Sequence, residues 1–224
     1  MSPADPTLDV ERSLLQAGAP VVIGIDEVGR GAIAGVVAVG ACAIVSVADA
    51  APAGLRDSKL LSAPRRAAVE PLVRSWALAV AVGEAEPAEV DALGIVAALG
   101  LAGRRALIRL FEQGVDVAAA AVLLDGSHDW LTPALVSPPR VIARVKADRD
   151  CAAVAGASVV AKEHRDALMV ADHERWPVYE WSGNKGYGSA GHFAAIAEHG
   201  ATERHRRTWL RSVLPAADTL PITV

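Results

Sequence analysis

Three apolar runs in this chain close on a carboxylate: Gly24-Ile25-Asp26-Glu27, Leu123-Leu124-Asp125-Gly126 and Val145-Lys146-Ala147-Asp148. Ligand crevices in α/β sheets open beyond the ends of strands, so runs of this kind deliver side chains to one place. Carboxylates gathered there repel one another and are costly to hold unless a cation neutralises them. An oxygen-only set, with no His or Cys in the same runs, suits a hard ion such as Mg²⁺ or Mn²⁺. Two such ions about 3.5–4 Å apart activate a water and stabilise the leaving oxygen in phosphodiester cleavage. A plainer reading is that Asp closes strands because it favours turns, Asp-Gly above all. For any one Asp that reading suffices; for the three together both readings stand. In a regular strand Asp26 and Glu27 project to opposite faces, so Glu27 joins a shared site only if the strand end twists or bulges.

The elements that must carry these residues are legible as apolar periodicity. Strands are expected at 21–25, 36–45, 75–85, 120–126 and 140–148, the first a continuous β-branched run that suits a central strand covered on both faces. The short link between the first two predicts antiparallel neighbours. A helix over 8–18 ends at Gly18, helical spacing runs through 87–113, and an Ala-rich helix is expected over 150–172. A Gly-containing loop at 182–191 precedes a helix at 192–199. This order predicts an α/β fold, a mixed sheet with helices on both sides.

Composition bounds the answer without choosing the partner. With 224 residues, 52% hydrophobic and only 4% aromatic, the core must be built from Ala, Val, Leu and Ile. No apolar run approaches the ~18 residues that a membrane span needs. The first residues, MSPADPTLDVERSLL, lack the basic start of a secretory signal. Cys42 and Cys151 have no CxxC spacing, so neither a disulfide framework nor a zinc site is expected, and a cytoplasmic location fits. The net charge of −4 is unlike that of a nonspecific nucleic-acid coat, yet the stretch 202–211 carries four Arg against one Glu.

The motifs taken in order carry a stronger signal than any one of them. GIDEVGRGAIAG (24–35), Asp57-Ser58-Lys59-Leu60, Leu124-Asp125-Gly126, Lys146-Ala147-Asp148, ASVVAKEHRD (157–166), Lys185-Gly186-Tyr187-Gly188 and HGATERHRRTW (199–209) together resemble the bacterial type 2 ribonucleases H, from about residue 8 to 211. The resemblance implies a ribonuclease H-like mixed five-stranded sheet with helices on both faces and a helical C-terminal extension. It implies one domain over 1–224, with a catalytic core at about 21–172 and a substrate-binding extension at about 173–224. The strands bearing Asp26 and Asp125 would lie side by side. Asp26, Glu27, Asp125 and Asp148 would form the catalytic site for two Mg²⁺ or Mn²⁺ ions. Gly29, Arg30 and Gly31 would meet the ribonucleotide 2′-hydroxyl, the group that distinguishes RNA from DNA, through their backbone. Tyr187 would stack on or bond to the sugar at the RNA–DNA junction. Ser58 and Lys59 would hold a DNA phosphate, and Lys146, Arg204, Arg206 and Arg207 are candidates for the phosphate backbone. His205 and Arg206 match the family's closing pair, expected to fix the C-terminal segment as well as to touch substrate.

The implied activity is endonucleolytic hydrolysis of the RNA strand of RNA–DNA hybrids. It extends to a cut on the 5′ side of ribonucleotides embedded in duplex DNA, leaving 3′-hydroxyl and 5′-phosphate ends, in the service of ribonucleotide removal from DNA. The expected partners are those two nucleic acids, with no membrane, and the expected state is a monomer. His164, His192 and His199 are expected on helix surfaces. The chain departs from the family pattern at Ala32, Val36 and Ala201, where Pro is usual, and at Gly94, where Asn often helps to bind phosphate. Competing readings are a silent nucleic-acid-binding module on the same fold, a resolvase- or transposase-type metal nuclease, and a small-molecule phosphohydrolase. Four carboxylates oppose the first, because a pure binder gains nothing by setting negative charge against phosphate.

Overall fold

A computed structural model of the chain describes residues 5–47 and 50–210. Helix α1 (Asp9–Gln16) is followed by strands β1 (Val22–Val28) and β2 (Val37–Ile44), helix α2 (Ala63–Trp76) and strand β3 (Ala79–Ala85). Then come α3 (Pro87–Leu93), α4 (Ile95–Glu112), β4 (Ala121–Asp125), β5 (Arg140–Arg144), α5 (Ala147–Asp150), α6 (Ala152–Arg175), α7 (Trp181–Asn184) and α8 (Ala190–His199). The five strands form one sheet in the order β3-β2-β1-β4-β5. β1 runs antiparallel to β2, β2 antiparallel to β3, and β1, β4 and β5 are parallel. This is the expected mixed sheet, with the expected antiparallel link between the first two strands.

Alternation along the strands feeds two cores. Val22, Ala121 and Leu123 face the layer of α1, α2 and α6, whereas Ile23, Ile25, Val122 and Leu124 face α3 and α4. α6 lies directly on β1 and β2 because two strand residues there have no side chain. A Cβ at Gly24 would fall on the backbone of Ala153 and Val154, and one at Gly40 on the carbonyl of Ala157. The buried half of α6 is correspondingly small: Ala152, Ala153, Ala155, Gly156, Ala157, Ser158 and Ala161 are all buried. Its N-terminus is capped from another helix, since the amide of Ala153 donates to Oε1 of Glu11 at 2.8 Å. A third cluster joins the C-terminal segment to the turn after β1, with Tyr179, Trp181, Ile196 and Leu210 packed on Ile33, Ala34 and Met169.

Several boundaries differ from expectation. β1 does not stop before the carboxylates but runs through Asp26 and Glu27 to Val28. Residues 75–76, read as the start of a strand, close the unforeseen helix α2, whose own Pro71 obscured its pattern. The spacing over 87–113 is split in two at Gly94, whose φ of 78° and ψ of 157° are nearly exclusive to glycine. β5 ends at Arg144, because Lys146 adopts a left-handed conformation (φ 61°) and turns the chain. Asp148 therefore stands in the first turn of α5, not at the end of a strand. The stretch 213–224 lies outside the described residues.

Candidate active site

The register of the sheet brings two carboxylates level. β1 and β4 pair in parallel up to Ile25 with Leu124, so Asp26 and Asp125 follow as neighbours on the same face, under α6. Asp26 is buried and sits opposite Gly40 on β2. Its Oδ1 accepts the amide of Glu27 at 2.9 Å, and its carboxyl also accepts a hydrogen bond from Ser158 on α6. Asp125 receives the amide of Asp148 on Oδ1 at 3.2 Å, which ties the third carboxylate to the second. Glu27, on the alternate side of β1, faces Arg30 at 3.5 Å yet still feels the charge of Asp125 and of Lys59. The strand end thus admits Glu27 to the shared field without a bulge.

Electrostatics describe a site short of positive charge. Burial raises the carboxyl of Asp26 well above the usual range, and Glu27 and Asp125 raise it further against Ser158 and Lys59. Burial likewise raises Glu27 and Asp125, with their carboxylate neighbours adding to it. Among the described residues Lys59 is the one ammonium that answers them, its Nζ 3.2 Å from Oδ2 of Asp148. Burial disfavours that charge, but Asp26, Asp148 and Asp57 outweigh it and hold the lysine above its ordinary pKa. Among the described residues no group of three or more His, Cys, Asp or Glu encloses a metal position. That is compatible with a Mg²⁺-type ion, which keeps several waters and is held by one or two carboxylates together with substrate phosphates. The donor chemistry, oxygen-only and over-charged, fits such an ion.

Two loops flank the carboxylates. The turn Gly29–Gly31 leaves β1 with Gly29 at φ 80°, and a Cβ there would fall on the guanidinium of Arg165. Tyr187 is 40% exposed, with the Arg165 guanidinium 5.6 Å from its ring. Lys146 and Arg30 are exposed, as contacts to a substrate backbone require. Three expected substrate contacts are engaged within the fold instead. Ser58 is buried, and its hydroxyl lies 2.8 Å from that of Ser158, so it supports Asp26 from behind. Arg206 is fully buried and donates from its two terminal nitrogens to carbonyls of the Gly29–Gly35 turn. Arg204 is taken by Asp172 and Glu86, at 2.7 Å each, while Arg207 remains exposed.

His192 is buried, not on a helix surface as expected. Its Nδ1 meets the carbonyl of Tyr187 at 2.9 Å, so Nε2 is left to accept from Trp181 at 3.0 Å and from Nε2 of His205 at 3.1 Å. Nδ1 of His205 in turn accepts the amide of Thr202. Burial lowers both imidazoles, His205 to about 3 with His192 and Arg207 adding to it, so the pair is neutral. Sequence reasoning assigned no role to Ser158, Arg165 or Asp57, although each lies inside a quoted motif. Asp57 accepts the amide of Lys59 at 3.0 Å and shapes the turn that delivers the ammonium.

The family model described as Ribonuclease HII matches residues 23–212. The chain belongs to the ribonuclease HII family. A Ribonuclease HII of Streptomyces griseus is 48% identical over 208 residues, covering 91% of this chain and 84% of the relative. The ribonuclease H2 of Pyrococcus horikoshii shares the fold at a TM-score of 0.67 and 22% identity, over 84% of this chain and 93% of that one. A Bst-RNase HIII crystallised with Mn²⁺ does so at 0.64 and 21%, over 82% and 62%. The protein is thus a ribonuclease H, an endonuclease of RNA in RNA–DNA hybrids, in a metal-dependent family. No helix among the described residues is long and apolar enough to cross a membrane.

Proposed function

We propose that this enzyme cuts on the 5′ side of ribonucleotides embedded in duplex DNA, as well as within longer hybrids, leaving a 3′-hydroxyl and a 5′-phosphate. The observation that carries the reading is the joint placement of an over-charged carboxylate group and two glycine-rich loops at one end of the sheet. Asp26, Glu27, Asp125 and Asp148 would hold two Mg²⁺ or Mn²⁺ ions. Bound there, the ions would supply an activated water and charge stabilisation for the leaving 3′-oxygen.

The chain's own residues divide the remaining work. Ser158 orients Asp26, and the amide of Asp148 orients Asp125. Gly29, Arg30 and Gly31 offer backbone to a 2′-hydroxyl, since glycine permits the close approach. Tyr187 offers an exposed ring to the sugar at the RNA–DNA junction. Lys59, Lys146, Arg30 and Arg207 are left for phosphate, whereas Ser58, Arg204 and Arg206 act from within the fold. A cytoplasmic monomer that removes ribonucleotides from DNA, with a core at 21–172 and a substrate-binding extension beyond it, accords with this division.

The deciding experiment is cleavage of a labelled DNA duplex holding one ribonucleotide, with Mg²⁺, Mn²⁺ or EDTA, beside an all-DNA control. Metal-dependent cutting 5′ to the ribonucleotide, with the control intact, is expected. Cutting confined to long hybrids would remove the proposed role of Tyr187. Equal cutting of the control would end the case for sugar recognition.

A further inference from the structure

Two guanidiniums are buried behind the Gly29–Gly31 turn, and neither has a carboxylate partner among the described residues. Arg206 donates from Nη1 to the carbonyl of Arg30 at 3.0 Å, and from Nη2 to those of Gly29 and Gly35 at 2.7 and 3.2 Å. Its Nε has no partner. Arg165 donates from Nε to the carbonyl of Val36 at 2.9 Å, from Nη2 to that of Ala34 at 3.0 Å and from Nη1 to that of Lys185 at 2.9 Å. Arg165 is close enough to disfavour the charge of Arg206, which burial disfavours first. Two neighbouring cations without counterions are an expensive way to stabilise a fold, since burying such charge costs several kcal/mol per ion. Their position suggests a use.

In a trans peptide the C=O and the following N–H point in opposite directions. Arg206 draws the carbonyls of Gly29 and Arg30 inward, and that turns the amides of Arg30 and Gly31 outward. Neither amide has an acceptor within the described residues. A Cβ at Gly31 would meet nothing within 4 Å, so the outer side of the turn is open. Arg165 adds the second loop, for it holds the carbonyl of Lys185 and lies against the ring of Tyr187. The amides of Ile33 and Ala34 both donate to the carbonyl of Gly186, at 2.9 and 3.1 Å, which closes the two loops on each other.

We propose that Arg165 and Arg206 are positioning residues for ribose discrimination: their forked guanidiniums aim the amides of Arg30 and Gly31 at the 2′-hydroxyl and fix Tyr187 in register with them. The proposal rests on the reading that this turn recognises the ribonucleotide sugar. Only arginine serves, because an ammonium keeps the charge but cannot span two or three carbonyls in one plane.

The test uses the full chain with Arg206→Lys and Arg165→Lys, each first checked for folding by circular dichroism. Affinity is measured without divalent metal for a duplex with one ribonucleotide and for the same duplex in all-DNA form. Lysine should lower the ribonucleotide-to-DNA affinity ratio by roughly tenfold, the loss of one or two charge-assisted hydrogen bonds. Affinity for the all-DNA duplex should change by less than about twofold, because the net charge is kept. The ¹⁵N-amide resonances of Arg30 and Gly31 should shift while those of α4 and β3 stay in place. A folded lysine variant with an unchanged ratio overturns the proposal, as do unmoved amide resonances. A wild-type protein without ribose preference, whose variant resonances nonetheless shift, overturns the sugar reading and leaves the brace as structure alone. If Arg206→Lys does not fold, Arg165→Lys carries the same readouts.

Discussion

The ammonium of Lys59 lies 3.2 Å from Oδ2 of Asp148, within the field of Asp26 and Asp57, and so occupies the place in the charge balance that a divalent cation would take. The lysine is held above its ordinary pKa and is fully charged at neutral pH, so its stabilising contribution is present throughout the working range. Its side chain is two-thirds exposed, and solvent screening limits that contribution to about 1 kcal/mol. Lys59→Met should therefore lower the Tm of the metal-free protein by roughly 2–4 °C. Saturating Mg²⁺ should narrow the gap between variant and wild type, as measured by calorimetry with and without EDTA. A gap that Mg²⁺ leaves unchanged would separate Lys59 from the cation's role.

Asp26 makes a pH prediction with a definite sign. Its folded-state pKa is raised, by burial first and by Glu27 and Asp125 after it. A raised group adds stability only below its unfolded pKa and loses it as pH climbs through the folded value. Near neutrality, without metal, Asp26 therefore costs stability that an amide would not. Asp26→Asn should be more stable than wild type at pH 7.5 in EDTA. The advantage should vanish as pH falls towards 4. The same variant should lose cleavage by about a hundredfold or more. Urea titrations across pH check the first claim, and a variant no more stable than wild type at pH 7.5 would refute it.

Much of this was legible in the chain, and the omissions have physical causes. Apolar runs marked all five strands, and the carboxylates that close them marked the site. The alternation rule set Glu27 on the far side of β1, where it does lie, but could not measure how far charge reaches around a strand end. Asp148 was assigned to a strand because Val145 extends the apolar run; the left-handed Lys146 that ends β5 leaves no mark in composition. α2 was overlooked because Pro and Arg interrupt its apolar stripe, and its exposed face does not need one. The resemblance gives Arg206 two roles, fixing the C-terminal segment and touching substrate, and the buried guanidinium fills the first. Only tertiary structure reveals a guanidinium turned inward to carbonyls far away in sequence. The same limit hid Ser158, one more small residue in an Ala-rich helix.

Tyr187 should separate the two substrate classes. Its ring is 40% exposed, and the loop beneath it is fixed by the Asn184 side chain, whose Oδ1 accepts the amide of Gly186, and by His192 at the carbonyl of Tyr187. A pre-placed aromatic of this kind contributes about 1–3 kcal/mol when a base or sugar stacks on it. Tyr187→Ala should cut kcat/KM on a single embedded ribonucleotide roughly ten- to hundredfold. Long hybrids, which offer many registers and 2′-hydroxyls, should be affected less. Parallel kinetics on the two substrates decide the matter, and equal losses on both would make Tyr187 a general contact and not a junction reader.

Gly40 links the sheet to the site more tightly than its lack of a side chain suggests. It pairs with Asp26 across β1 and β2, and a Cβ there would fall on the carbonyl of Ala157, the residue before Ser158. Neither partner is free to yield, one being a central strand and the other the backbone of a buried helix turn. Gly40→Ala should destabilise the protein by about 1–3 kcal/mol through overpacking. Any relaxation that restores contact must lift α6 and with it Ser158, which holds Asp26 and the hydroxyl of Ser58. The folded variant should therefore also lose cleavage at temperatures well below its Tm. Its loss should fall on kcat more than on KM, because the turn at Gly29–Gly31 and the Tyr187 loop are anchored elsewhere. If Gly40→Ala keeps wild-type kcat while losing stability, the close approach of α6 serves packing only and Ser158 does not set the position of Asp26.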